Sequence, residues 1–243
     1  MKLHILAVGV HPDDVELGAA GTLLKHVELG QSVGILDLTE GELGSRGTAE
    51  TRYAEASEAC RVMGIPVRHN LQLRDGFFEN NEASQLKVIT MIRHYRPDIV
   101  LANAYYDRHP DHGRASQLVE DACFLSGLKK IETTYEGKAQ PHWRPSRVLH
   151  YIQDRFIEPD FIVDITETFA KKMEAVKCYS TQFSTQGDDQ TVTYISQPGF
   201  LQNIESRARQ LGHSIGVTYG EGFCSRAKLG LKNLDHLLFP ELA

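Results

Sequence analysis

Residues 9–14 read GVHPDD, which packs His11, Asp13 and Asp14 into four consecutive positions directly after the apolar run Leu3–Val8. Further along, YYDRHPDHGR at 105–114 repeats the theme with His109, Asp111 and His112, shortly after DIVLA at 98–102. Neighbouring carboxylates repel one another, and a divalent cation is the partner that turns this repulsion into attraction. Imidazole and carboxylate donors without thiolate suit zinc or another first-row divalent ion at a catalytic site, where three protein ligands leave a position for water. One aspartate at a helix start has a plainer use as a cap. Two in succession beside a histidine exceed that need. GVHPDDVELGAAG also has the look of a dinucleotide loop, but no G-x-G-x-x-G lies between Gly9 and Gly18, and two carboxylates at a helix N-terminus would repel a pyrophosphate.

The two clusters form one site only if the fold brings them together. Short β-type runs occupy Leu3–Gly9, Ser32–Leu38, Val67–Leu71 and Asp98–Ala102. Helical patterns alternate with them. The first runs from Val15 to Leu29, with Leu17, Leu24 and Val27 inward and Gly30 ending it. A second is capped by Thr48, carries Tyr53, Ala56, Cys60 and Met63 on one side and stops at Gly64 and Pro66. Others span 83–95 and His112–Leu125. This alternation predicts an α/β fold with a Rossmann-like, doubly wound, mostly parallel sheet. In such a sheet strands one and four are neighbours at the switch point, and ligands bind beyond the carboxyl ends of the strands. The clusters at the ends of those two strands should therefore face each other.

Beyond residue 128 the rhythm weakens. KKIETTYEGKAQPHWRPS, at 129–146, reads as a polar insertion or flap, and the lone Trp143 within it suits an interface anchor or a cover over a sugar. Strands are expected at Val148–Ile152 and Phe161–Ile165 and helices at Glu167–Tyr179 and Phe200–Leu211, with a long polar loop over Ser180–Gln197. The whole chain, 1–243, reads as one domain with a decorated C-terminal half.

Composition narrows the function classes. With 243 residues, 41% hydrophobic and 24% charged, the chain can bury a sizeable core without staples. The net charge of −6 comes without a basic stripe, which argues against a nucleic-acid partner. Cys60, Cys123, Cys178 and Cys224 are widely spaced, as expected of reduced thiols in a cytoplasmic protein. The apolar residues 3–10 are too few for a signal peptide or a membrane span.

His-Pro-Asp-Asp after the first strand and His-Pro-Asp-His after the fourth resemble the LmbE or PIG-L family of zinc-dependent N-deacetylases, which act on N-acetylglucosaminyl compounds. LDLTEGELGSRGT at 36–48, DRHPDH and the QFS after Tyr179 are similar to the bacillithiol-biosynthesis deacetylases called BshB1. The resemblance implies that His11, Asp14 and His112 hold the metal, zinc or in the cell another divalent ion such as Fe2+. It further implies that Asp13 is the general base toward a water at that metal, that His109 stabilises the oxyanion and that Asp111 keeps the His109 imidazole protonated. Spacing alone does not say which aspartate is ligand and which is base. Arg108, beside the second motif, and Arg52, in the first turn of the second helix, are candidates to grip a carboxylate of an anionic substrate such as N-acetylglucosaminyl malate. The plainer role for Arg52 is a pair with Glu50 or Glu55. Arg46 has no assigned role, and His4, His26, His69, His94 and His150 read as packed or solvated residues.

The expected reaction is hydrolysis of the acetamide of an N-acetylglucosamine derivative, a small-molecule sugar, by a homo-oligomer that the family implies to be a hexamer. Alternatives are deacetylation of another N-acetylglucosamine sugar, cleavage of a thiol conjugate, or metal or nucleotide binding on a Rossmann-like fold without catalysis.

Overall fold

An interior strand of the sheet, ILAVG at Ile5–Gly9 (β1), is buried along its whole length, as a parallel strand covered on both faces must be. The computed structural model describes residues 1–183 and 191–237. From β1 the chain continues through α1 (Asp14–Glu28), β2 (Val33–Thr39), α2 (Ala49–Met63), β3 (Val67–Leu73), α3 (Glu82–Tyr95), β4 (Ile99–Ala102) and α4 (Pro110–Leu125). A small hairpin of β5 (Thr134–Tyr135) and β6 (Lys138–Ala139) precedes β7 (Arg147–Tyr151) and β8 (Phe161–Asp164). Helices α5 (Phe169–Lys177), α6 (Ser180–Phe183) and α7 (Phe200–Ser214) then lead to β9 (Gly220–Cys224).

Seven strands join one sheet in the order β3-β2-β1-β4-β7-β9-β8. Pairs from β3 through β7 are parallel, and β9 runs antiparallel to both β7 and β8. Strands β1 and β4 are neighbours, as the doubly wound pattern requires. Alternation along β1 feeds two cores. Ile5 and Ala7 pack with Val15, Ala19 and Leu23 of α1 and Met63 of α2, while Leu6 and Val8 pack with Val88 and Ile92 of α3 and Leu118 of α4. Among the described residues, no helix is long and apolar enough to cross a membrane.

Several elements match expectation, and the departures have physical reasons. Thr48 caps α2 through a reciprocal pair with Thr51, and Gly64 closes the helix at φ 70°. Tyr53, expected inward, is 72% exposed, because the buried stripe starts one residue earlier, at Arg52, and continues through Ala56, Ala59 and Met63. Leu17, also expected inward, is only half-buried and lines a cavity.

Strand β9 was not foreseen. Its sequence GEGFC has no alternation, and its glycines answer a close approach: a Cβ on Gly222 would meet Ile152 Cδ1 at 2.8 Å, and one on Gly220 would meet Ile162 Cγ2 at 2.6 Å. Segment 129–146 is no flap. Arg93 of α3 holds it by donating to the Ile131 carbonyl oxygen and to Thr133 Oγ1, and Trp143 Nε1 donates to the Pro97 carbonyl oxygen at 2.8 Å. Pro97 precedes β4, so Trp143 sits at the amino ends of the strands, away from both His-Asp clusters. The expected loop at 180–197 starts instead as the short helix α6. Its residues 184–190, including the serine of QFS, lie outside the described residues.

Candidate functional site

At the carboxyl end of β1 the chain turns sharply, and Asp13 takes φ 136°, a left-handed value that costs a non-glycine residue about 1–3 kcal/mol. The turn aims Asp14 inward. Its Oδ2 accepts hydrogen bonds from the main-chain N–H groups of Val10 and His11, both at 3.0 Å. Asn103, directly after β4, donates to Oδ2 at 3.1 Å, and Gln153, just after β7, donates to Oδ1 at 2.9 Å. Three adjacent strand ends thus fix one carboxylate.

The two motifs meet there. His11 Nδ1 lies 3.6 Å from Asp14 Oδ2, and His112 Nε2 lies 3.2 Å from Asp14 Oδ1. Each imidazole is pinned through its other nitrogen, His11 Nε2 by Asp75 at 2.9 Å and His112 Nδ1 by Asp107 at 2.5 Å. A carboxylate behind each ring fixes its orientation and turns the free nitrogen toward Asp14, which is how metal-binding histidines are held. The ring of His109 completes the cluster, 4.8 Å from that of His11 and 5.3 Å from that of His112. Ligand atoms of His11, His109 and His112 lie within 4.8 Å of one another, as do those of His11, Asp75 and Asp111.

The electrostatics show what the cluster demands. Burial alone would lift the Asp14 carboxyl, but the His112 charge and hydrogen bonds from His11 and His112 hold it well below its ordinary value. Burial likewise opposes a charge on His11, yet its bonds to Asp14 and Asp75 push its pKa up to about 10. Asp14 and Asp107 overcome burial in the same way at His112, raising it to about 9. The carboxylates thus call for positive charge between them, which protons supply in the absence of a metal. A donor set of two imidazoles and one carboxylate, backed by further carboxylates, fits a divalent ion.

Asp13 differs from its neighbour. Burial raises its carboxyl to about 7, against the lowering charge of Arg52, whose Nη2 lies 3.9 Å away. A carboxyl that titrates near neutrality and faces the cluster has the profile of a general base. Arg52 is only 5% exposed and donates from Nη2 to Gln182 Oε1 at 2.6 Å. The glycine-rich loop after β2 makes room for it, since a Cβ on Gly41 would meet Arg52 Nη1 at 1.8 Å. No pair with Glu50 or Glu55 forms; Glu55 accepts instead from Ser180 and Thr181.

The protonated state expected of His109 is not favoured. The main-chain N–H of Asp111 donates to His109 Nδ1 at 3.3 Å, so that nitrogen carries no proton, and burial lowers the pKa of the ring. The Asp111 carboxylate is occupied by the Gly76 N–H and Arg114 Nη1, both at 2.8 Å, and so ties α4 to the segment after β3. Its charge favours a proton on His109, but burial and the charges of His11 and His112 outweigh it.

A cavity of about 690 Å³ opens above the cluster, reaching from His11 and Asp13 to Tyr194 and α7. Arg108 lines it with its side chain 42% exposed; its Nε sits 3.3 Å from Asp154 Oδ2 and its guanidinium stacks over the Tyr194 ring at 4.2 Å. Arg46 is instead a staple, donating to the carbonyl oxygens of Thr181 at 2.8 Å and Thr191 at 3.0 Å. Asp75, Asn103, Asp107 and Gln153 escaped the sequence reading. Asp107 stood inside the second motif, but the other three follow different strands with no local pattern to mark them.

The profile of the family described as PIG-L: GlcNAc-PI de-N-acetylase matches residues 6–123 of the chain. A diacetylchitobiose deacetylase from Thermococcus kodakarensis is 27% identical over 90% of this chain and 81% of that protein. A probable N-acetyl-alpha-D-glucosaminyl L-malate deacetylase 2 from Bacillus anthracis is 25% identical over 85% of this chain and 92% of that one. Among solved structures, the conserved protein TT1542 from Thermus thermophilus is 36% identical, superposes with a TM-score of 0.83, and the match covers 95% of this chain and 98% of that one.

Proposed function

The chain belongs to the PIG-L family and is a deacetylase of N-acetylglucosamine-type substrates, and from that premise we propose that it hydrolyses the acetamide of N-acetylglucosaminyl malate, releasing acetate and a free amine. The observation that carries this reading is Asp13, a buried carboxyl raised to about 7 beside the Asp14 cluster, at the floor of a cavity that Arg108 borders.

We assign His11, Asp14 and His112 as the residues that hold a divalent ion, zinc or in the cell ferrous iron. Such an ion supplies Lewis acidity, lowering the pKa of water toward about 7 and polarising a carbonyl. Asp13 takes the proton of the attacking water and returns it to the leaving amine. The His109 ring accepts the Asp111 N–H at Nδ1, so its proton sits on Nε2, where it can donate to the oxyanion. Such a donor is worth about 2.7–4 kcal/mol in the barrier. Asp111 acts at a distance by clamping α4, and Arg52, lining the cavity from below, restrains the pKa of Asp13. Arg108 is our choice for a malyl carboxylate, because a half-exposed guanidinium at the cavity can grip one bidentately. We place the reaction in the cytoplasm, where the four unpaired cysteines stay reduced, and expect a hexamer, to be checked by light scattering.

The likeness to a diacetylchitobiose deacetylase favours a second reading, removal of acetyl from a neutral disaccharide. Acetate release from both compounds by purified, metal-loaded protein separates the two. Turnover of diacetylchitobiose with none of the malyl compound would select the second.

A further inference from the structure

The cavity holds another guanidinium, which the reaction described above does not use. Arg207 on α7 lines the cavity together with Asn203, one turn earlier on the same helix. Its Nη2 donates to the main-chain oxygen of Asp154 at 2.6 Å. Among the described residues no carboxylate pairs with it, and the acidic groups nearby are already occupied. Asp154 accepts from Tyr194 Oη at 2.9 Å and faces Arg108 Nε at 3.3 Å. Asp107 accepts from the Arg155 N–H at 2.7 Å and meets His112 Nδ1 at 2.5 Å.

Arg108 and Arg207 thus flank one residue, Asp154, from its side chain and its main chain, and both border the space above the cluster. The charges of Asp154 and Asp107 act on Arg207, but neither carboxylate forms an ion pair with it, so its guanidinium keeps N–H donors for a further carboxylate. Guanidinium forks match carboxylate or phosphate geometry, and a substituent with two carboxylates can offer one to each fork.

We propose that Arg207 and Arg108 together form the receptor for an acidic substituent on the sugar, and that Arg207 is the residue which sets the preference for anionic over neutral N-acetylglucosaminides. This proposal rests on the deacetylase reading above and names a group that reading leaves without a role.

Metal-loaded full-length wild type, Arg207→Gln and Arg207→Lys should be compared on N-acetylglucosaminyl malate and on neutral N,N′-diacetylchitobiose. Loss of a charge-assisted hydrogen bond predicts that Arg207→Gln lowers the malyl-to-neutral ratio of kcat/KM by about ten- to a hundredfold, mainly through KM, with Arg207→Lys between it and wild type. A merely structural role, tethering α7 to Asp154, would depress both substrates equally, and that result overturns the proposal. Calorimetric binding of L-malate to the same proteins needs no turnover. A Kd about tenfold weaker in Arg207→Gln supports the receptor even if the malyl compound proves not to be a substrate, whereas equal Kd values for all three proteins overturn it. Arg207→Lys retains the charge and serves as the folded comparison should Arg207→Gln melt early.

Discussion

Two adjacent aspartates of the same chemistry have opposite environments at this site. Asp14 is surrounded by donors and held charged, whereas Asp13 has burial against it and one guanidinium in its favour. Asp13→Asn should therefore keep its metal and lose about 10²–10⁴ in kcat, the usual worth of a general base. Asp14→Asn should lose the metal as well, and elemental analysis beside steady-state kinetics checks both; full turnover in Asp13→Asn would remove the assignment. Arg52 lowers the Asp13 pKa, so replacing it with Gln should raise that pKa. The sign follows directly: the base must be deprotonated, so the acidic limb of the kcat/KM profile moves to higher pH. A limb that stays in place, or moves down, contradicts the pairing.

Helix α1 carries Asp14 at its first residue, and its position is set by how closely it approaches β7. Gly18 permits that approach. A Cβ there would meet the Tyr151 ring at 2.3 Å, and Tyr151 cannot yield easily, being fully buried with its hydroxyl donating to the Val8 carbonyl oxygen at 2.8 Å. Gly18→Ala should destabilise the protein by about 1–3 kcal/mol through overpacking. Denaturant titration reads this, and a neutral or stabilising result would mean that α1 shifts freely. Because Gln153 follows β7 and donates to Asp14, a displaced α1 should also weaken metal retention.

For the whole molecule, charge at the site couples metal loading to stability and pH. In metal-free protein His11 and His112 have pKa values raised from 6.5 to about 10 and about 9. A raised histidine pKa stabilises the fold fully below the unfolded value and loses that contribution as pH rises through the folded one. Chelated protein should accordingly lose melting temperature between about pH 6.5 and 10 from these groups, and metal-loaded protein should lose less. Loading near pH 7 should release up to about two protons, since both imidazoles must be deprotonated to bind. Calorimetry in buffers of different ionisation enthalpy measures that number, and zero release would contradict the protonated pair.

Much of this was legible in the residues. His11, Asp13, Asp14, His109, Asp111 and His112 follow strands whose apolar runs and intervening helical patterns imply a parallel sheet, and parallel order alone brings the ends of β1 and β4 side by side. Local pattern carries that information because strand and helix periods, caps and stops are written in short windows. Division of labour inside the cluster is not local. Asp75, Asn103, Asp107 and Gln153 reach it from the ends of β3, β4 and β7, and only their contacts show which imidazole nitrogen is free and which aspartate is held charged. Burial, too, is a property of the packed molecule: it sets Arg52 beside Asp13 in the lining of the cavity, leaves the Asp111 carboxylate with Arg114 and Gly76, and brings Arg207 from a helix far along the chain to the wall of the same cavity.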